Sequence, residues 1–318
     1  MWDFDLGKAL SAMRQTLPFV LFRMAIYFAI TLAYILGTGV GAGVGYGLTA
    51  FGSNPGSGAG IGAMIGFGAV GAVVYWVREY LLYLVKAAHI SALVDVHEGK
   101  PVAGGQSQVT QAQQVIKENF KEASILFGVD QLVKGVLGAI NRLLLALTSW
   151  LPIPGLHNLM AFITRVVEMS LTYVDEIIIA YHLRAGGDNP WQSCRTALVL
   201  YAQNYKTFLR NALFLTLFMY LLAFLVFLVV LGPVAGLMSL FPGQVGGFSF
   251  IVALVLAWSI KAALLEPVAI YALMQVFFKV TEGQQPNPEW EAKLDQASDK
   301  FRELKDQALS HLGGAKTS

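Results

Sequence analysis

Three long stretches of the chain carry no charged residue, and they constrain its fold more than any other feature. Residues 24–77, 143–164 and 211–260 contain no Asp, Glu, Lys or Arg, although the chain has 20 acidic and 22 basic residues elsewhere. One helical crossing of a bilayer needs about 20 apolar residues. The first and third stretches are therefore each long enough for two crossings and a turn. Because 56% of all side chains are apolar, a soluble fold is nearly excluded.

Each uncharged stretch contains a turn signal: Gly52 to Gly56, Leu151 to Gly155, and Phe241 to Gly243. The sequence thus predicts an all-α polytopic integral membrane protein, with five or six helices crossing or entering the bilayer in three hairpins. Every Lys and Arg lies towards the ends opposite these turns. The positive-inside rule therefore predicts that both termini are cytoplasmic, in a cell membrane of the bacterial cytoplasmic type.

The second helix of each hairpin is predicted to end at a similar stop, at Glu98 to Pro101, Gly186 to Pro190 and Glu282 to Pro286. These stops indicate three degenerate copies of one unit, although glycine followed by proline is also a common helix terminator. The chain is therefore predicted to divide into four parts. They are a glycine-rich hairpin with an N-terminal amphipathic helix (1–101), a charge-containing hairpin (102–190), a third hairpin (191–286) and a cytoplasmic tail helix (287–318).

Glycines recur at helical spacing in the first hairpin. Rows of small residues let two helix backbones approach closely in lipid, so a packing interface is the natural interpretation. A hinge or a pore lining is the functional alternative, because many glycines also soften a helix. The glycines of the two rows are Gly37, Gly41 and Gly45 on the first helix and Gly58, Gly62 and Gly66 on the second.

The middle hairpin is too short to cross the bilayer without burying charged residues. Its uncharged stretch allows each arm only about 16 Å of helix, about half the thickness of a bilayer. The polar residues of each arm fall on one stripe. Such residues at membrane depth mark a pathway by default; the alternatives are a hairpin lying at the cytoplasmic interface, or buried ion pairs with a purely structural role. The candidate pathway residues are Asp130, Lys134, Arg142, Arg165, Glu168, Asp175 and Glu176, with Lys261 and Glu266 as a further pair on the last membrane helix.

Pro267 has a second consequence for that last helix. Proline lacks an N–H, so it frees a backbone carbonyl about one turn upstream, near Lys261 or Ala262, and that carbonyl needs another partner.

Motifs for catalysis, metals and cofactors are missing from the sequence. There is no His-Glu-x-x-His, no Gly-x-Ser-x-Gly and no phosphate-binding loop, and Cys194 is the only cysteine. We therefore expect no enzymatic activity, no cofactor, no metal and no nucleic-acid partner.

The tail from Pro288 onward has apolar residues at spacings of four and three, which predicts a helix with one apolar seam. An exposed seam of this length is marginal in water. We expect it to dock on the chain's own helices or on a protein partner, including a second copy; its anchors are Trp290, Leu294, Phe301 and Leu304.

The segment Tyr173 to Glu176, the run Ser193 to Asn204 before a long apolar span, and the later Glu282-Gly283 form a pattern that resembles the choline transporter-like family of polytopic membrane proteins. The resemblance implies membrane transport of a small organic cation or a lipid precursor.

Two functions from different classes are therefore expected. The first is passage of a small solute, ion or lipid along the polar stripes of the middle hairpin. The second is a non-enzymatic scaffold or assembly subunit of a membrane complex, which would hold partners through the glycine rows and the tail seam.

Overall fold

A computed structural model describes residues 2–52, 54–77, 83–102, 107–108, 110, 114, 123–148, 173–239 and 249–314 of the chain. These residues form helices and connecting turns, with no strand among them. The helices are α1 (Leu6–Gln15), α2 (Leu17–Thr49), α3 (Pro55–Val77), α4 (Tyr83–His97), α5 (Ala123–Thr148), α6 (Val174–Ala185), α7 (Pro190–Gln203), α8 (Tyr205–Met238), α9 (Ser249–Ile260), a π-helical turn (Lys261–Leu265), α10 (Glu266–Thr281), α11 (Pro288–Ala297) and α12 (Asp299–Gly314).

Four helical segments are long and apolar enough to cross a membrane: Leu17–Thr49, Pro55–Tyr75, Tyr205–Leu237 and Ser249–Thr281. They overlap the first and third uncharged stretches. The expected all-α fold is confirmed for the described residues, and the four segments are candidates to cross a membrane. Within the described residues the middle third adds no further candidate, because α5 is not among the four. Two of the predicted turns lie outside the described residues. The second turn falls within residues 149–172, together with the start of the second arm of the middle hairpin, and the third turn falls within residues 240–248. Six spans, three hairpins and a threefold repeat remain predictions.

The chain divides into two compact units. The membrane unit comprises Phe19–Val85 and Phe218–Pro267, and the large unit comprises Met1–Pro18, Lys86–Leu217 and Val268–Ser318. Three of the four candidate spans, those starting at Leu17, Tyr205 and Ser249, have residues in both units.

In the membrane unit, α2 and α3 run antiparallel and meet along their glycines. A Cβ atom added at Gly41 would lie 2.1 Å from the Gly62 carbonyl oxygen, and one added at Gly45 would lie 2.0 Å from the Gly58 carbonyl oxygen. A Cβ atom added at Gly66 would lie 2.0 Å from the Gly37 carbonyl oxygen. A side chain at any of these positions would force the two backbones apart.

Large apolar side chains cover the outside of the membrane unit. Leu48 is 82% exposed, Val229 is 74% exposed and Phe28 is 64% exposed. Soluble proteins rarely present an apolar surface of this extent to water, so these faces are suited to contact with a lipid bilayer.

In the large unit, the three expected helix stops are built in the same way. Gly99, Gly186 and Gly283 all adopt positive φ angles, of 68°, 63° and 69°. Glycine tolerates this left-handed conformation without a steric penalty, and it commonly ends a helix there. Asn189 caps the start of α7, because its side chain accepts a hydrogen bond from the Gln192 backbone N–H.

The tail consists of two helices, α11 and α12, so the expectation of one continuous helix was wrong. Ser298 separates them with an extended backbone (φ −143°, ψ 114°). Its hydroxyl accepts a hydrogen bond from the Phe301 N–H and so caps the start of α12. Serine caps a helix through this local contact, which the apolar spacing of the seam does not reveal.

Candidate functional site

Three charged side chains meet inside the membrane unit. Lys261, in the π-helical turn, donates a hydrogen bond to the Glu266 carboxylate at 3.1 Å. An Arg23 guanidinium nitrogen lies 3.6 Å from the other carboxylate oxygen of Glu266. The side chains of Arg23, Lys261 and Glu266 are only 4%, 7% and 14% exposed. We call these three residues the membrane triad.

The predicted Lys261–Glu266 pair is confirmed, and its geometry depends on the π-helical turn. The Glu266 N–H bonds to the Lys261 carbonyl, five residues earlier, instead of to the residue four earlier. The wider turn brings residues 261 and 266 to the same side of the helix. Such π turns occur frequently at functional sites.

The backbone carbonyl freed by Pro267 has a hydrogen-bond partner, as the sequence required. In the π-helical register the donor for the Ala262 carbonyl would be the N–H of residue 267, which proline lacks. Arg23 supplies the replacement, because its guanidinium donates a hydrogen bond to the Ala262 carbonyl. One arginine of α2 therefore serves both the Glu266 carboxylate and the broken backbone.

The membrane unit contains further polar and aromatic contacts. The Lys261 ammonium lies 4.9 Å from the centre of the Tyr220 ring, a cation–π distance. The hydroxyls of Thr31 and Ser259 lie 2.9 Å apart and are hydrogen bonded. Polar groups at membrane depth normally face protein or water and mark sites for ions or solutes.

Four of the predicted pathway residues of the middle hairpin form ion pairs in the large unit. The Lys134 ammonium lies 2.6 Å from the Asp130 carboxylate and 3.9 Å from the Asp175 carboxylate. Glu176 forms an ion pair with Lys86. We call these five residues the charged cluster. The expected Asp130–Lys134 pair is confirmed, whereas Arg142 is exposed and Arg165 and Glu168 lie outside the described residues.

Burial governs the electrostatics of the charged cluster. Asp175 is 9% exposed, and one of its carboxylate oxygens accepts no hydrogen bond from the described residues. This burial, reinforced by the nearby charge of Asp130 and opposed by Lys86 and Lys134, raises the pKa of Asp175 to about 6. The ionised carboxylate is therefore destabilising in the folded protein at neutral pH.

Asp175→Asn should remove a pH dependence of stability. Because the folded-state pKa lies above the unfolded value of 3.8, the contribution of Asp175 is fully present below pH 3.8 and is lost as the pH rises through about 6. At pH 7.5 the variant should be more stable than the wild type by about 3 kcal/mol. The measurement is the free energy of unfolding of both proteins between pH 4 and 8.

Asp188→Asn is the matched control, because Asp188 is exposed and its substitution should leave the pH profile unchanged. If the wild type and Asp175→Asn keep a constant difference in stability across this range, Asp175 is not the source of the pH dependence.

The tail seam packs on the chain itself. Leu294, Phe301 and Leu304 are fully buried, α12 contacts α5 and α7, and Trp290 meets the Tyr205 ring edge to face. Arg195 of α7 pairs with Glu291 and Asp295 and stacks over the Phe301 ring at 4.6 Å. Of the two occupants expected for the seam, the structure has the chain's own helices.

Two features of the structure escaped the sequence reasoning. Arg23 is the only charged residue within α2, and this isolation could have marked it as a membrane-embedded group. A cavity in the large unit, beside His97, has no comparable signal because its residues come from three separate segments. Within the described ranges, no group of three or more His, Cys, Asp or Glu side chains is arranged to hold a metal ion.

Comparison with known proteins adds no relative. No family model matches the chain, and neither the curated proteins nor the solved structures contain a match. The resemblance to the choline transporter-like family therefore has no support beyond the pattern of residues that suggested it.

Proposed function

We propose that the protein is a non-enzymatic membrane transport protein that passes a small solute, ion or lipid across the bilayer, with the membrane triad as the polar site inside the membrane. The observation that carries the proposal is the meeting of Arg23, Lys261 and Glu266 inside helices that are apolar enough to span a membrane. Burying charged groups in this way costs several kcal/mol per ion even after pairing. A chain that needed only structural packing could hold the same helices together with apolar residues.

The local backbone supports the same proposal. A π-helical turn followed by Pro267 interrupts the helix at the triad. Membrane transport proteins commonly bind their substrates where a helix is interrupted, because the freed backbone groups line the site. The triad therefore combines side-chain charge and an irregular backbone in the way that a substrate site requires.

The pathway proposed here is narrower than the one that the sequence suggested. Asp130, Lys134, Asp175 and Glu176 belong to the charged cluster of the large unit, so we assign the membrane step to the triad. We further propose a cell-membrane location with both termini in the cytoplasm, as the distribution of Lys and Arg indicates. The scaffold function loses its main support, because the tail seam and the glycine rows both pack within this chain.

Water access to the triad is the property that separates a transport site from a sealed ion pair. In a Cys194→Ala background, Lys261→Cys should react with a charged, water-soluble methanethiosulfonate reagent when the protein is in liposomes. The native Cys194 thiol is buried, and burial raises its pKa, so it contributes little reactivity even where it is retained. Intact-protein mass spectrometry measures the extent of modification.

Two control positions frame this measurement. Ala257→Cys lies in the buried apolar core of the membrane unit and should remain unmodified. Lys293→Cys replaces a side chain that is half exposed in the tail and should react fully.

A further inference from the structure

The large unit contains a cavity of about 770 Å³ that plays no part in the proposed transport step. Its walls come from the N-terminal segment Trp2–Gln15, the end of α4 and the last turns of α10. Cavities of this size are typical of sites for small molecules. We call it the N-terminal cavity.

Hydrogen bonds hold the N-terminal wall of this cavity in place. The Gln275 side-chain amide accepts from the Asp5 backbone N–H at 3.2 Å and donates to the Asp5 carbonyl at 3.1 Å. Asn211 bonds in the same two-sided way to the Asp3 backbone N–H and to its carboxylate. Trp2 stacks on Phe214 with 4.1 Å between the ring centres. The first residues are thus fixed along the cavity by side chains from other helices.

The carboxylates that line the cavity already have partners. Asp3 pairs with the Arg210 guanidinium at 2.6 Å. Hydrogen bonds from Asn211 and Arg210, together with the nearby charges of Arg210 and Lys279, hold its pKa below its usual range. Asp5 caps α1 by accepting a hydrogen bond from the Lys8 backbone N–H. Neither acid is therefore placed to neutralise the ammonium groups of the cavity through a direct ion pair.

The basic and neutral donors of the cavity have no such partners. Among the residues that the structure describes, Lys8 and Lys279 form no ion pair, and the Tyr271 hydroxyl and the His97 ring nitrogens form no hydrogen bond. Burial and the nearby charge of Arg184 lower the pKa of His97, so its ring is neutral at pH 7 and can both donate and accept. Two ammonium groups, a phenol and an imidazole therefore line one space.

We propose that the N-terminal cavity binds a phosphate ester, with Lys8 and Lys279 contacting the phosphate and Trp2, Phe4 and Val96 contacting the organic group. Lysine is a common phosphate ligand because its ammonium acts as a point charge with three donors. Tyr271 and His97 add neutral hydrogen bonds to the same group. The proposal is independent of transport at the membrane triad, since the two sites share no residue.

The phosphate can belong to a soluble ester or to a lipid headgroup, and two probes distinguish these sources. In one arm, the full chain in phosphatidylcholine nanodiscs is titrated with glycerol 3-phosphate by calorimetry. In the other arm, native mass spectrometry counts the phosphatidic acid that stays bound after the protein is transferred from mixed liposomes into detergent. Saturable binding is expected in one of the two arms.

The Lys8→Gln/Lys279→Gln variant should weaken that binding at least about tenfold, because each lysine contributes a direct charge–charge contact. Lys293→Gln/Lys300→Gln is the matched control, as it also removes two lysines, from the tail, and should bind like the wild type. Lys8→Gln alone, on an exposed face of α1, should give a partial loss without affecting folding. The proposal is overturned if neither probe binds saturably, or if the first double variant binds as tightly as the wild type.

Discussion

Replacing Arg23 by methionine should destabilise the protein by about 3 kcal/mol, a typical effect of removing one partner from a buried ion pair. Two groups lose a partner at once. Glu266 loses a guanidinium at 3.6 Å, and the Ala262 carbonyl loses the donor that substitutes for the missing N–H of Pro267. Thermal unfolding in detergent measures the effect. Arg14→Met is the control, because Arg14 is exposed at the end of α1 and its substitution should have little effect.

A second substitution tests which of the two losses matters. Pro267→Ala restores a backbone N–H at the position where the Ala262 carbonyl needs a donor. It should recover part of the stability lost in Arg23→Met but change the wild type only slightly. If Pro267→Ala brings the same gain in both backgrounds, the carbonyl does not depend on Arg23 and this assignment is wrong.

Gly41→Ala should be among the most damaging single-methyl changes in the membrane unit. The added Cβ would lie 2.1 Å from the Gly62 carbonyl oxygen, a contact that only a backbone shift can relieve. Overpacking of this kind costs about 1–3 kcal/mol. Close backbone contact is also what drives helix association in lipid, so α2 and α3 should separate partially. Thermal unfolding and protease sensitivity of the α2–α3 turn measure the two effects.

Gly43→Ala is the matched control for this prediction. Gly43 lies two residues away on the same helix, and a Cβ there would meet nothing within 4 Å. Alanine is the better helix former by about 1 kcal/mol, so this variant should be as stable as the wild type or slightly more stable. Equal destabilisation by the two substitutions would show that the glycine rows do not set the helix contact.

The membrane helices could be predicted from the sequence alone, because soluble domains rarely contain an uncharged apolar run of about 20 residues. The three glycine stops, the Asn189 cap and the need of a backbone carbonyl near Ala262 for a partner were also predictable. These features depend on residues close together in the chain. The partner itself, Arg23, lies 239 residues from Ala262, a pairing that no local pattern can reveal.

The surroundings of the first arm of the middle hairpin could not be predicted from the sequence. The polar stripe of an amphipathic helix shows that its two faces have different surroundings, but not whether lipid or protein covers the apolar face. In the structure α5 packs against α6, α7 and the tail helices. Asp130 therefore lies in the core of the large unit and Lys134 lies at its edge. The spacing of the two residues along the chain is the same for this position as for the lining of a membrane pathway.

The reaction rate of Lys261→Cys with a charged, water-soluble thiol reagent in liposomes is the most direct test of the membrane triad as a transport site. A transport site must be open to water from at least one side of the membrane, so we expect modification at least about tenfold faster than at Ala257→Cys. Equal and very slow modification at both positions, with Lys293→Cys fully modified, would show that Lys261 and Glu266 form a sealed structural pair and would contradict the proposed transport site.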